Sequence, residues 1–233
     1  MKLSARMQKI ADLCVGTSAA DVGTDHGLIP IWLEKYGGFE KLILTDIAGG
    51  PLRKAMQNVA FYDSKIRDIR LGAGLAPLAP GEADTVIIAG MGGELIASIL
   101  AGDPEKTKSY RRFVLQPRSR ESSLRKSLIE LGLPITGEYL VKEVGRICQI
   151  IVCEPSAEGG EVFADPLADT EVPPMLFEAK DPLLGEFLDR RIKGEEKIIS
   201  QMRRKKDPSA HGSAELERHI SLSAVYGAMK EKL

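Results

Sequence analysis

The segment Asp21–Gly27 reads Asp-Val-Gly-Thr-Asp-His-Gly and lies between an apolar run and a helix that starts near Pro30. This order predicts a strand, a tight glycine turn and a helix N-terminus, the arrangement that holds the middle of a nucleotide-like cofactor. The carboxylate of Asp25 narrows the choice of cofactor. The repulsion between this carboxylate and a pyrophosphate charge about 4 Å away would cost about 4 kcal/mol at an effective dielectric of about 20. A cofactor that is positive at this point is therefore favoured, and S-adenosylmethionine carries a sulfonium and an α-ammonium there.

Two further loops follow predicted strands and are candidates for contact with the same cofactor. Asp46, followed by Ile47, ends the second strand, close to the interval of about 20 residues at which an acid binds the ribose of an adenosine cofactor. A turn or helix cap is the alternative role for Asp46. Ala73 and Gly74 follow the third strand, where small residues would let an adenine ring approach the backbone. An ordinary turn is the alternative for these two residues.

The loop Ala89–Gly93 follows the fourth strand and opens a helix, so Gly90, Met91 and Gly92 are predicted to contact both cofactor and acceptor. Methyltransferases that modify exocyclic amines of nucleobases usually carry an Asn-Pro-Pro-Tyr-like motif here, which this sequence lacks. A ring nitrogen has an in-plane lone pair and needs less activation than an amine. The loop therefore favours a ring nitrogen as the methyl acceptor.

His26 and Gly27 complete the predicted cofactor turn. His26 could act as a general base, contact the methionine part of the cofactor, or serve as a hydrogen-bonded structural residue. Asp25 could orient either a substrate amine or the cofactor ammonium, and we favour the ammonium.

The elements that position these residues alternate between strand and helix. Helical spacing behind the N-cap Ser4 predicts an opening helix. Strands are predicted at Ala19–Val22, Lys41–Asp46, Ile66–Leu71, Asp84–Ala89 and about Phe113–Gln116, with helices between them or after them. This alternation indicates a parallel, doubly wound sheet.

Two strand-like runs then follow each other without a helix. Ile135–Lys142 and Ile147–Cys153 flank a turn at Val144–Arg146 and predict an antiparallel hairpin. A parallel sheet closed by such a hairpin is the arrangement of class I methyltransferases. The predicted fold class is therefore α/β, with a Rossmann-like class I methyltransferase sheet.

The last part of the chain has a different pattern. We predict one domain over residues 1–158 and, over 159–233, a Gly- and Pro-rich linker followed by two long antiparallel helices around a turn at Asp207–Gly212. Lys and Arg outnumber Glu between Arg190 and Lys206, which suits contacts with RNA phosphates, although a solvated helix face is an equal alternative. The candidate RNA-binding residues are Arg190, Arg191, Lys193, Arg203, Arg204, Lys205 and Lys206. Five arginines, Arg111, Arg112, Arg118, Arg120 and Arg125, are candidates to extend that surface.

Composition excludes several classes of protein. With 233 residues and 43% hydrophobic side chains, the chain is long enough for one α/β domain and a small appendage. No run of membrane-spanning length and no signal-peptide pattern is present in the sequence. Its three cysteines, Cys14, Cys148 and Cys153, form no Cys-x-x-Cys pair, so neither a zinc site nor a disulfide framework is indicated. We expect a cytoplasmic protein without a metal and without a membrane partner.

Five motifs in this order resemble those of the bacterial tRNA (adenine-22-N1) methyltransferase family. They are Asp21–Ile31, Thr45-Asp46 followed by Gly50-Pro51-Leu52, Arg70–Leu75, Ile88–Gly93 and Leu115–Pro117. The resemblance implies a class I methyltransferase domain followed by a helical, coiled-coil-like domain, S-adenosylmethionine as methyl donor, and N1 of a tRNA adenine as acceptor. It also implies that Asp21, Gly23, Asp25, Asp46, Gly74, Gly90 and Gly92 contact the cofactor.

The sequence departs from the family pattern on the acceptor side as much as on the cofactor side. Leu28 replaces an aromatic residue, Ala73 replaces Asp or Asn, and Arg118 follows Gln-Pro where Asn is usual. Cys148-Gln149 stands where the family tends to have Tyr-Glu. The identity of the target is therefore less constrained than the identity of the cofactor.

Our hypothesis is a tRNA adenine-N1 methyltransferase in which Asp25 is the candidate catalytic carboxylate, because methylation leaves the adenine cationic. The monomer is the favoured state. A non-catalytic RNA-binding protein on the same fold and a methyltransferase of small molecules remain alternatives. A nicotinamide oxidoreductase is the least favoured.

Overall fold

The protein is described by a computed structural model that covers residues 1–158, 163–165, 167–205 and 210–233. It divides into two compact units, Met1–Val162 and Phe163–Leu233. Across the described residues, none of the helices has both the length and the apolar composition needed to cross a bilayer. Nor do these residues contain a cluster of three or more His, Cys, Asp or Glu side chains suited to a metal ion.

The first unit is built on a seven-stranded sheet with the order β3-β2-β1-β4-β5-β7-β6. Its strands are β1 Ser18–Val22, β2 Lys41–Asp46, β3 Asp68–Leu71, β4 Thr85–Met91, β5 Arg112–Pro117, β6 Ile135–Glu143 and β7 Arg146–Cys153. Strands β1 to β5 are mutually parallel. Strand β7 pairs antiparallel with both β5 and β6. The predicted Rossmann-like class I arrangement with a terminal hairpin is confirmed.

Helices connect the parallel strands and supply the two outer layers. They are α1 Ala5–Asp12, α2 Leu28–Trp32, α3 Gly49–Phe61, α4 Gly93–Ala101, α5 Pro104–Lys108 and α6 Glu121–Glu130. Ser4 caps α1 as predicted, since its Oγ accepts a hydrogen bond from the Met7 N–H at 3.4 Å. Beyond α2 the chain continues as one π-helical turn, Leu33–Gly37.

The core lies at the centre of the sheet. Val86, Ile87 and Ile88 of β4 and Ile43 of β2 are fully buried, because helices cover both faces of these strands. Burying a side chain of this size contributes about 1.5–3 kcal/mol relative to leaving it exposed. The continuous apolar run in β4 therefore fixes the strand whose last residues are Ala89, Gly90 and Met91.

A buried ion pair ties α6 to the hairpin. Arg125 is fully buried and donates to Glu138 of β6 at 2.7 Å and to Gln149 of β7 at 2.7 Å. Arg112 likewise donates to Glu154 at 2.6 Å. The prediction that Arg125 belongs to an RNA-binding surface is wrong, because its guanidinium is buried against Glu138. Arg112 and Glu154 are partly exposed, and the place of Arg112 on that surface stays a prediction.

The second unit consists of helices α7 Ala168–Glu171, α8 Pro174–Glu178, α9 Leu184–Lys205 and α10 Ala210–Lys230. The two long helices confirm the predicted pair, and α10 already begins where a turn was predicted for residues 210–212. The predicted linker contains α7 and α8, with Val172 and Leu176 buried. Pro174 starts α8 instead of breaking structure, because a helix tolerates proline in its first turn.

Polar side chains hold these helices together. The Tyr226 hydroxyl donates to Glu171 at 2.7 Å, and His219 Nδ1 lies 2.5 Å from Glu195. Lys230 also pairs with Asp189.

The three cysteine thiols are free. Cys148 and Cys153 are buried, while Cys14 is partly buried and donates to the carbonyl of Ile10 at 3.3 Å. Burial raises the pKa of the Cys14 thiol to about 12 and also raises the pKa of the other two thiols.

Candidate active site

A cavity of about 270 Å³ opens at the carboxyl ends of β1, β4 and β5. In doubly wound sheets, ligands bind at this edge, beside the point where the strand order reverses. Residues of four segments line the cavity: Arg6 and Met7 of α1, Asp21 and Gly23–Ile29, Ala89–Met91, and Arg118.

The glycine turn is fixed by hydrogen bonds to the neighbouring strand. The N–H groups of Gly23 and Thr24 donate to the carbonyl of Thr45 at 2.8 and 2.9 Å. Gly23 has a φ of +77°, and a Cβ at this position would come within 1.9 Å of Met91 Cε. The backbone conformation at Gly23 disfavours a side chain, and a side chain there would also have to displace the end of the Met91 side chain. The turn after β1 and the end of β4 approach each other here.

Asp21 is the buried carboxylate at the base of the cavity. Burial raises the pKa of its carboxyl to about 6, with a smaller contribution in the same direction from Asp46. The Thr24 hydroxyl and the positive charge of Arg6 oppose this shift of the pKa. The site therefore favours a bound positive charge, since such a charge would stabilise the ionised form.

Asp25 lies on the cavity wall with its side chain 58% exposed. Lys54 Nζ of α3 is 3.0 Å from one of its carboxylate oxygens, and His26 Nε2 is 3.1 Å from the other. Asn58, one turn after Lys54 on α3, donates to the carbonyl of His26 at 2.8 Å. Helix α3 thus holds the tip of the glycine turn and partly compensates the charge of Asp25.

Asp46, Ile47, Ala73 and Gly74 lie beside one another but outside the cavity lining. Asp46 pairs with Leu71 in the β2–β3 register, and its carbonyl accepts from the Gly72 N–H at 2.9 Å. One carboxylate oxygen of Asp46 accepts from the Ala48 N–H at 2.7 Å. No other side-chain hydrogen bond of Asp46 is present within the described part of the chain, which leaves its second oxygen available to a ligand hydroxyl.

On the other side of the cavity lies the end of β4, which extends to Met91, beyond the strand end predicted at Ala89. Gly90 and Met91 of this strand end line the cavity, and Gly90 has a φ of +82°. Gly92 is the N-cap of α4 and does not line the cavity. The structure thus brings Asp21, Gly23, Asp25, His26, Gly27, Gly90 and Met91 around one cavity.

Sequence reasoning missed the contribution of α1. Arg6 lines the cavity and donates to Gln116 Oε1 at the end of β5 and to Glu143 Oε2 at the end of β6, both at 3.0 Å. Met7 lines the cavity beside it. No spacing signal connects a helix near the N-terminus to strand ends more than 100 residues later, so only the folded chain reveals this wall.

The candidate RNA-binding residues lie on α9, in the second unit. Arg203 and Arg204 are exposed and line a groove between α9 and α10, together with Glu196 and with apolar and small polar residues. Arg190 pairs with Glu186 at 2.8 Å, Arg191 lies 5.1 Å from the Phe187 ring centre, and Lys193 is exposed. Lys205 is the last residue of α9, and Lys206 lies outside the described residues.

Comparison with known proteins places this geometry among methyltransferases. A family model described as a methyltransferase domain matches residues 3–151. The tRNA (adenine(22)-N(1))-methyltransferase of Bacillus subtilis (strain 168) is 33% identical over 157 residues, which are 66% of this chain and 66% of that protein. The aligned part is thus just under two thirds of each.

Two solved structures resemble nearly the whole chain. The Bacillus subtilis M1A22 tRNA methyltransferase TrmK is 25% identical, with a TM-score of 0.83 over 98% of this chain and 99% of that one. A candidate tRNA (m1A22) methyltransferase of Streptococcus pneumoniae, solved in complex with S-adenosyl-L-methionine, is 27% identical. Its TM-score is 0.80, over 98% of this chain and 100% of that one.

Proposed function

This chain belongs to the methyltransferase domain family, and from that premise we propose that it transfers a methyl group from S-adenosylmethionine to N1 of an adenine in tRNA. The position that we propose is adenine 22, the one in the names of its relatives. The observation that carries the proposal is the cavity where the acidic turn after β1 meets the glycine-containing end of β4.

The residues around this cavity fit S-adenosylmethionine. A buried carboxylate, Asp21, and the wall carboxylate Asp25 suit its sulfonium and ammonium, which a phosphate-bearing cofactor could not match. The available oxygen of Asp46 suits a ribose hydroxyl. Contacts of Gly23, Gly27, Gly90, Met91 and Gly92 with the cofactor are proposed on the same grounds, as are contacts of His26, Ile47, Ala73 and Gly74. When bound, the cofactor supplies an electrophilic methyl group.

The acceptor needs little help beyond positioning. N1 of adenine carries an in-plane lone pair, so no proton has to leave before the bond to carbon forms. The protein therefore has to align N1 with the methyl group and exclude competing geometries, and such alignment can supply about 7–11 kcal/mol of the barrier reduction. We propose that Asp25 stabilises the methylated adenine cation, a role that its exposure on the cavity wall permits.

Binding of tRNA is proposed for the basic face of α9. Arg203 and Arg204 are exposed and belong to a segment in which Lys and Arg dominate. Phosphate contacts of this kind position an RNA without reading its sequence. We also propose that the chain acts in the cytoplasm, as a monomer and without a metal. Methyl transfer from S-adenosylmethionine to a tRNA ring nitrogen requires no membrane, no second subunit and no metal ion.

The test is methyl transfer from labelled S-adenosylmethionine to an unmodified tRNA transcript, followed by nucleoside analysis. We expect label in 1-methyladenosine, and no label in a control transcript with guanine at position 22. Label at another nucleoside would move the proposal to a different acceptor. A chain that binds both cofactor and tRNA but transfers nothing would be a binding protein on this fold.

A further inference from the structure

Arg118 is the first residue after β5, and it lines the cavity opposite the glycine turn. Its backbone N–H donates to the carbonyl of Met91 at 2.8 Å, so the position of its Cα is tied to the loop where the acceptor is proposed to lie. The preceding Pro117 is buried and restricts the backbone further. The guanidinium is thus carried by a well-defined point at the cavity edge.

Two arginines line the cavity, and among the described residues only Arg6 has hydrogen-bond and ion-pair partners for its guanidinium. Arg6 is bound to Gln116 and Glu143, while Asp25 is bound to Lys54 and His26. Arg118 is exposed, and its side chain makes no ion pair or hydrogen bond with the residues that the structure describes. An arginine in this situation is available to an oxyanion, which it binds through two parallel N–H donors.

We infer that the Arg118 guanidinium binds a phosphate of the RNA beside the methylated adenine, an inference that rests on the proposed function. The reacting ligands offer two oxyanions, the RNA phosphate and the methionine carboxylate of the cofactor. The sheet order β3-β2-β1-β4-β5 separates the two halves of the site. Asp21 lies in β1, Asp46 ends β2 and Gly74 follows β3, so the proposed cofactor contacts lie in that half. Arg118, after β5, lies on the side proposed for the acceptor.

Arg118 is therefore a positioning and affinity residue for the nucleotide. Its contact lies next to the target base, in contrast to the phosphate contacts proposed for α9. A phosphate held on this side would also fix the position of the sugar that carries the target base as this base enters the cavity. A base that must leave its stack costs a few kcal/mol, and contacts to its own phosphate help to offset that cost.

The experiment compares Arg118→Gln and Arg118→Lys with a matched control, Lys108→Gln. Lys108 is an exposed residue at the end of α5, shortly before β5 and at the opposite edge of the sheet, so the same charge is removed far from the cavity. The measurements are tRNA affinity at several salt concentrations in the presence of S-adenosylhomocysteine, affinity for S-adenosylmethionine, and the KM and kcat of methyl transfer.

We expect Arg118→Gln to weaken tRNA binding about tenfold and to lower the dependence of log affinity on log salt by about 1. Affinity for S-adenosylmethionine should stay unchanged, and KM for tRNA should rise more than kcat falls. Arg118→Lys should keep the salt dependence, because it keeps the charge, while losing part of the affinity. Lys108→Gln should behave like the unaltered chain.

Equal tRNA binding by Arg118→Gln and Lys108→Gln would overturn the inference. So would weaker binding of S-adenosylmethionine with unchanged tRNA binding, which would assign Arg118 to the methionine carboxylate. These results are distinct from failure of the proposed function. Arg118-dependent tRNA binding without methyl transfer would overturn the proposed function alone, and absence of any tRNA binding would overturn both.

Discussion

At the scale of single residues, Asp21 combines burial of its carboxyl with a proposed role in cofactor binding. Burial raises the pKa of its carboxyl to about 6 in the folded chain, whereas an unfolded chain has an Asp pKa of about 3.9. Between these values the folded chain holds more protons than the unfolded chain. The free energy of unfolding therefore decreases as pH rises through this window.

Asp21→Asn should remove this pH dependence. The unaltered chain should lose up to about 3 kcal/mol of stability between about pH 4 and pH 6 that the variant does not lose. Denaturant titrations of both proteins at several pH values measure the difference. Parallel curves across that window would contradict the assigned burial effect.

The same carboxylate predicts how cofactor binding depends on pH. Because a bound cation favours ionised Asp21, affinity for S-adenosylmethionine should fall below about pH 6, approaching tenfold per pH unit. Asp21→Asn should bind more weakly and with a flatter pH profile. Calorimetric titration between pH 5 and pH 8 tests both statements, and an unchanged profile in the variant would assign the effect to another group.

Substitutions of Lys54 and Asp25 should change the affinity for S-adenosylmethionine in opposite directions. Lys54 competes with a cofactor ammonium for the Asp25 carboxylate, so Lys54→Gln should tighten binding of S-adenosylmethionine and Asp25→Asn should weaken it. The pair is exposed, and exposed pairs contribute about 0.2–1 kcal/mol, so each change should stay within about fivefold. Lys65→Gln, an exposed lysine just beyond α3, is the control. Weaker binding by Lys54→Gln would show that Asp25 serves the turn and not the cofactor.

At the scale of elements, the buried pair Arg125–Glu138 links α6 to the antiparallel hairpin that closes the sheet. Arg125→Met leaves Glu138 buried without its cation and should cost about 3–5 kcal/mol of stability. The double variant Arg125→Met/Glu138→Leu should recover most of this loss, because it removes both charges. Lys126→Met, a neighbouring exposed residue on α6, should change little. Chemical denaturation measures all three, and a double variant as unstable as the single one would contradict the argument.

The elements also separate what the sequence could predict from what it could not. Apolar runs located β2 and β4 closely, since their periodicity reflects burial on one or both faces. The role of Arg125 could not be predicted from the sequence, because a helix of the same pattern can present an arginine to solvent or to a buried carboxylate 13 residues later. The short helices α7 and α8 were hidden by Pro173 and Pro174, which signal a turn or a helix start equally well.

The residues of the candidate site also divide into those that the sequence predicted and those that it did not. The acidic turn was recognisable because its residues are contiguous in sequence, whereas Arg6 enters the cavity through pairing with Gln116 and Glu143. Lys54 as a partner of Asp25 was also missed, since its partner lies 29 residues earlier in the chain. Contacts between distant segments depend on packing that local patterns do not encode.

At the scale of the whole molecule, the two units carry different parts of the proposed function. The residues proposed for the cofactor all belong to Met1–Val162, and the basic face of α9 belongs to Phe163–Leu233. A variant that combines Arg203→Gln and Arg204→Gln should therefore weaken tRNA binding and lower its salt dependence by about 2. Affinity for S-adenosylmethionine should not change. Lys126→Gln in the first unit is the control. Full tRNA affinity in the double variant would remove α9 from the proposed RNA contacts.

The state of the three thiols has a practical consequence. All are buried or partly buried, and their raised pKa values leave little thiolate at neutral pH, the form that maleimides attack. The native chain should therefore react little with thiol-directed dyes. A single exposed position on α9, such as Lys193→Cys, would then take up one fluorophore selectively. The protein could report the arrival of an RNA optically without removal of any natural cysteine.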